Sequence, residues 1–241
     1  MSGGSAPAPQ QQRLFAFRMG ERAPDTLVVT RANEAAATLL RGWRDWPGGA
    51  MALIGPAGSG KTHLANAWAA ESGAHFVSAL ADAETVADAF AAHQGRLVID
   101  DAETARDDLG LIHALDLARY KGGAVLMVGA RAPATWRAAT PDLHTRLKAL
   151  PIAALEEPDD ALLEVVLRRL CRERFIELTD KAAAYLAQHM ERTFAEAHAI
   201  ADALDALVVR GARPVSTGLA RRALVQVRAS SAMQSGDASG E

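Results

Sequence analysis

The chain has 241 residues, 49% of them apolar, a formal net charge of −3 and a single cysteine, Cys171. That length serves one large domain or two small ones with real cores, while the weak charge gives no global attraction to nucleic acid or anionic lipid. One cysteine excludes an internal disulfide and suits a reducing cytosol. No apolar run reaches the ~20 residues of a membrane span, and the start, Met1-Ser-Gly-Gly-Ser-Ala-Pro-Ala-Pro9, has neither the basic nor the apolar region of a secretory signal, so a cytoplasmic protein without membrane contact is expected.

Residues 1–12 are Gly, Ser, Ala, Pro and Gln and read as disordered, as does 229–241. Within residues 1–20, Gln11-Gln-Arg-Leu14-Phe15 sets two large apolar side chains in polar surroundings. Either they tuck back onto the domain or they form a short linear peptide for a partner's apolar pocket. Thr26 to Thr30 is a β-branched run, and Arg31–Trp43 reads as a helix with Ala35, Leu39, Leu40 and Trp43 on one side.

Ala50–Ile54 is a short apolar run, read as a buried strand, and Leu64–Ala70 is an Ala-rich helix. Between them, Gly55-Pro56-Ala57-Gly58-Ser59-Gly60-Lys61-Thr62 fits G-x-x-x-x-G-K-[ST], the P-loop pattern, and His63 follows. Glycines let backbone N–H groups turn onto phosphate oxygens, and the helix start adds its positive dipole end. Lys61 can reach the β- and γ-phosphates and Thr62 can ligate Mg²⁺.

His75–Ser78 reads as a strand, Ala83–Ala92 as a helix, and Arg96-Leu-Val-Ile-Asp100-Asp101 as a buried parallel strand with a carboxylate at its C-terminal tip. Asp100 is the Walker B candidate for Mg²⁺. Asp101 or Glu103 could orient an attacking water, or serve only as helix N-terminal carboxylates. A helix over Leu109–Tyr120, a strand over Ala124–Val128, a short helix near 134–139, a turn at Thr140-Pro141 and a strand at Pro151–Leu155 complete an α/β parallel sheet of five strands over residues 21–156. From 157 to 228 no strand pattern recurs. Four helical stripes do: Leu163, Val166, Leu167 and Leu170; Ala182, Tyr185, Leu186 and His189; Ile200, Leu204, Leu207 and Val208; Ala220, Ala223, Leu224 and Val227. The expected architecture is an α/β P-loop core with a small all-α lid.

A P-loop core followed by such a lid suggests an AAA+ module, and several segments resemble the DnaA family in particular: 58–67 (Gly-Ser-Gly-Lys-Thr-His-Leu-Ala-Asn-Ala), Ile99-Asp-Asp-Ala102, Leu27–Ala35, Pro141-Asp-Leu-His-Thr-Arg-Leu147 and Glu157-Pro-Asp-Asp160. The resemblance spans roughly residues 20–228. It implies that Val29 and Asn33 flank the adenine of bound ADP or ATP. It implies also that Arg146 is a box VII arginine finger aimed at a neighbour's nucleotide, and that Arg192 is a sensor 2 arginine reaching back to the phosphates. From residues alone, Arg146 could instead be an exposed arginine favourable at a helix C-terminus, and Arg192 a surface residue.

Two departures from DnaA stand out. After the lid comes a polar tail rather than a helix-turn-helix, and Gln11, Leu14 and Phe15 are similar to the Q-x-x-L-F peptide that binds the bacterial sliding clamp. That layout resembles the Hda-type branch of the DnaA family, which implies partnership with DnaA and the clamp (the polymerase III β subunit), stimulation of ATP hydrolysis on DnaA, contact with DNA only through partners, and room for a homo-oligomer. The usual polar sensor 1 position is held by Gly129-Ala130, so at most weak intrinsic ATP turnover is expected. An autonomous helicase-loading ATPase would need strong self-hydrolysis and a nucleic-acid surface. A small-molecule kinase would need an acceptor pocket, which four lid helices disfavour.

Overall fold

The structure, a computed structural model, describes residues 29–208 and 214–237, with side chains through 230. The peptide at Gln11, Leu14 and Phe15 lies outside the described residues.

Five parallel strands form one sheet: β1 (Ala50–Ile54), β2 (His75–Ser78), β3 (Arg96–Asp100), β4 (Ala124–Gly129) and β5 (Ile152–Ala154), in the order β2-β3-β4-β1-β5. Both faces are covered, which is why the inner strands are unbroken apolar runs rather than alternating ones. Leu97, Ile99, Val125 and Met127 face one side, packed with Phe90 of α3 (Ala83–Ala92), Leu111 of α4 (Asp108–Lys121) and Leu147 of α5 (Pro141–Ala149). Val98, Leu126, Val128 and Leu53 face the other, against Leu40 of α1 (Glu34–Arg41) and Trp68 of α2 (Lys61–Ser72). The second, all-helical cluster joins α6 (Asp160–Glu173), α7 (Asp180–His189), α8 (Phe194–Leu207) and α9 (Thr217–Asp237).

The register fixes the site. Ile54 pairs with Gly129 and Ser78 with Asp100, so the carboxyl ends of β1, β3 and β4 stand together, β4 lying between the P-loop strand and the Walker B strand. Open parallel sheets bind ligands outside that edge, where the strand order reverses.

Four sequence expectations shift. Helix α1 begins at Glu34, after a turn in which Asn33 Oδ1 accepts from Thr30 N, and ends before Gly42. Its buried stripe is Ala36, Ala37 and Leu40, while Ala35 and Leu39 face outward. The buried face is turned by one residue, about 100°, from the expected stripe, because Ala36 and Leu40 rather than Ala35 and Leu39 pack inward. The helix expected near 134–139 is one 3₁₀ turn, Pro133–Thr135, ended by extended backbone at Trp136. In α7, Tyr185 and His189 lie at the edge of the lid core, stacked with ring centroids 4.2 Å apart. Finally, α9 runs on to Asp237, into the stretch read as a disordered tail; extending an existing helix is far easier than nucleating one.

Candidate functional site

The P-loop joins β1 to α2 with Gly58 and Gly60 in left-handed backbone, φ +75° and +92°. Gly60 is the N-cap of α2, so the helix's first amides open onto the loop. Lys61 Nζ donates to the carbonyls of Gly55 (2.8 Å) and Pro56 (2.9 Å), which keeps its charge over the loop. Among the described residues, Ser59 Oγ is buried with no hydrogen-bond partner. A buried hydroxyl in the P-loop with no protein acceptor suits a phosphate oxygen.

Thr62 Oγ1 donates to Asp100 Oδ2 across 3.2 Å. A hydroxyl and a carboxylate are the hard oxygen donors Mg²⁺ prefers, and their separation is close to the ~3 Å edge of an octahedron built on ~2.1 Å bonds. These two residues would hold the metal, with water and phosphate oxygens completing it. Asp101 stands just beyond, exposed and in left-handed backbone (φ +50°), with its N–H donated to Asp100 Oδ1. Its carbonyl receives Thr104 N, so it starts a 3₁₀ turn, Ala102–Thr104. Glu103 is not turned toward solvent: its Oε1 accepts Ala130 N at 3.2 Å, and Arg131 lies 3.7 Å from its other oxygen.

That contact falls at the tip of β4, beside Gly129. A Cβ on Gly129 would come within 2.6 Å of the Trp136 ring, which is buried and anchored by its Nε1–H to Arg131 O. Trp136 occupies the space that a polar side chain on the tip of β4 would need.

The lid descends directly onto the P-loop. Phe194 N donates to Gly58 O; a Cβ on Gly58 would meet the Thr193 side chain at 2.8 Å, and one on Gly60 would meet the Phe194 ring at 2.5 Å. The glycines are therefore required twice, by backbone conformation and by the lid. Thr193 caps α8 by accepting Glu196 N, and Glu196 Oε2 accepts Glu191 N, pinning the segment that carries Arg192. Thr193-Phe-Ala-Glu196 is the T-x-x-E helix-start signature, legible in sequence but unread as a site element.

Between lid and core lies a cavity of ≈ 140 Å³ lined by Asn33, Ser59, His63, Leu155, Val166 and His198 among others. Asn33, Ser59, Gly60 and His63 thus line one cavity. Val29 packs against the adjoining core instead of lining the cavity. The lid contribution from Val166 and His198 carried no motif by which to find it.

The two arginines sit differently. Arg192, about half exposed, bonds Asp160 Oδ1 at 2.8 Å and Pro158 O at 3.2 Å, one residue from the P-loop contact but paired within the lid. Arg146, on α5, is absent from the cavity lining; it bonds Asp142 on its own helix and Asp116 on α4. Its hydrogen bonds to Asp142 and Asp116 raise its already high pKa, so it is a permanent cation. Asp108 fixes α5 against α4: it accepts from Ala139 N, Thr140 N and Thr140 Oγ1, the last two at 2.6 Å.

Sheet order, P-loop and helical appendage define the AAA+ fold. Residues 51–116 match the family model for AAA, the ATPase family associated with various cellular activities. Domain III of the Thermotoga maritima replication initiation protein DnaA superposes with a TM-score of 0.63 at 17% identity, covering 83% of this chain and 94% of that one. The Thermotoga maritima RuvB Holliday junction branch migration motor gives 0.59 at 23% identity over 80% of this chain. A replication initiator DnaA bound to AMPPCP and single-stranded DNA gives 0.57 at 17% identity over 81%. The chain spans 64% of the RuvB chain and 66% of that DnaA chain. No curated protein matches the sequence. At these identities the likeness is one of fold.

Proposed function

We infer that this protein is a nucleotide-bound AAA+ regulator of replication initiation, related to DnaA, that acts with the DNA-loaded sliding clamp to stimulate ATP hydrolysis by DnaA and so represses re-initiation. The observation that carries the reading is a separation in space: the P-loop Gly55–Thr62 with Lys61 over it borders the cavity between lid and core, while Arg146 is held on α5 outside that cavity's lining. An arginine so placed suits a neighbour's γ-phosphate, where it would stabilise charge developing during transfer.

Three features support the rest. ADP or ATP with Mg²⁺ fits the P-loop amides, Lys61, the orphan Ser59 hydroxyl and the Thr62–Asp100 pair. Trp136 under Gly129 leaves the sensor 1 position without a polar side chain, in keeping with slow turnover in cis. The Gln11, Leu14 and Phe15 peptide, similar to clamp-binding motifs, supplies the tether. On this reading Arg192 couples lid position to the nucleotide and Asp101 orients the attacking water.

The test is reconstitution of DnaA, clamp, DNA and this protein, following ATP-to-ADP conversion on DnaA. Arg146→Ala is expected to keep nucleotide and clamp binding and to lose about 10³-fold or more of the stimulation. Full stimulation by the variant would remove Arg146 from the finger role. No stimulation by the unaltered protein would overturn the function. Replacing Leu14 and Phe15 by Ala is expected to abolish co-elution with the clamp.

A further inference from the structure

The guanidinium of Arg146 is gripped from two directions at once. Nε donates to Asp142 Oδ2 at 2.9 Å and Nη1 donates to Asp116 Oδ1. A guanidinium offers two edges for bidentate binding of a carboxylate or phosphate, Nε with Nη2 and Nη1 with Nη2. Here each edge has one nitrogen committed, so neither can take a phosphate in two-point fashion while both carboxylates stay. Asp116 comes from a different helix, and the Asp108–Thr140 bonds hold that helix in register with α5. The side chains of Arg146 and Asp116 are 28% and 33% exposed, so the pair is open to exchange with solvent and with an incoming anion.

We propose that Asp116 is a latch on Arg146: it parks the arginine within its own subunit, and a neighbour's triphosphate must displace it to gain the Nη1–Nη2 edge. The proposal rests on Arg146 acting in trans, as inferred above. Asp116 is on this view a positioning residue that sets how readily the finger engages, not how fast the engaged complex reacts. Asp142, one turn away on the same helix, stays on Nε and keeps the guanidinium oriented during the exchange.

The experiment titrates the full chain into DnaA-ATP, clamp and DNA and separates the half-maximal concentration from the plateau rate. Asp116→Asn keeps an oxygen but loses the charge. It is expected to lower the half-maximal concentration about two- to fivefold, the scale of one partly exposed ion pair, with the plateau rate unchanged; Asp116→Glu should restore the original value. An unchanged or raised half-maximal concentration, with native thermal melting and with Arg146→Ala inactive, overturns the latch and leaves the finger standing. Full activity of Arg146→Ala overturns the finger and the latch with it. Should Asp116→Asn melt early, Asp116→Ser removes the same charge and carries the same expectation; failure of that variant to lower the half-maximal concentration also overturns the proposal.

Discussion

In the sheet, Leu97, Val98 and Ile99 follow one another and all three are buried; in the lid, Leu163, Val166, Leu167 and Leu170 are buried while Ala161 is exposed and Glu164 and Arg168 partly so. The first pattern needs helices on both faces and so commits the strand to a large assembly. The second needs only one covered face and closes within four helices. The two clusters meet along the P-loop, where Phe194 N bonds Gly58 O and Thr193 and Phe194 pack over Gly58 and Gly60. The difference gives the P-loop core and the lid separate hydrophobic clusters that meet along one seam.

The strongest way to break this comparison is to weaken one half alone. Leu167→Ala, at a fully buried position of α6, is expected to cost about 2–5 kcal/mol. All four tryptophans, at 43, 46, 68 and 136, belong to the core. Helix loss by circular dichroism should therefore precede the change in tryptophan fluorescence in urea, whereas coincident transitions would make core and lid one cooperative unit.

Asp108→Ala attacks the core at the α4–α5 joint and should cost roughly 1.5–3 kcal/mol near neutral pH, read by denaturant melting. Burial pushes the Asp108 carboxyl up, but the Thr140 hydroxyl, the N–H groups of Ala139 and Thr140 and the Arg137 charge together hold it below its ordinary value of 3.8. A folded-state value below the unfolded one means the contribution is complete above the unfolded pKa and fades as pH falls through the folded one. The gap between wild type and variant should therefore be flat from pH 5 to 8 and shrink only below about pH 4.

The seam itself can be sharpened with two glycines. Gly60→Ala and Gly73→Ala both face positive φ, costing ~1–2 kcal/mol. Only at Gly60 would the methyl also strike the Phe194 ring, whereas nothing lies within 4 Å at Gly73. Gly60→Ala should lose stability and nucleotide affinity together; Gly73→Ala should lose stability alone. The smallest effect is expected from Thr193→Ala, which removes the α8 cap for about 1 kcal/mol, visible as a few degrees in thermal melting.

The sheet strands, the P-loop and the lid stripes were legible because each follows from a local rule: an apolar run bounded by turns, a glycine spacing, a 3.6-residue period. The orientation of α1 was not, because Ala35 and Ala36 are equivalent to any pattern and only the packing of Ala36, Ala37 and Leu40 in the core sets the phase. The lid's share of the site was hidden for another reason. Val166 and His198 are remote from the P-loop in sequence, and only the packing of α6 and α8 onto β1's exit brings them over the cradle. Asp116 was hidden likewise, an ordinary helix carboxylate until α5 delivers Arg146 to it.

Every step depends on phosphate held at the P-loop. Isothermal titration of the full chain with ADP and Mg²⁺ tests this most directly. Saturable binding is expected, weakened about 10²-fold by Lys61→Ala, the scale of charge-assisted hydrogen bonds to phosphate. Absence of heat with the unaltered protein, or equal binding by the variant, would contradict it.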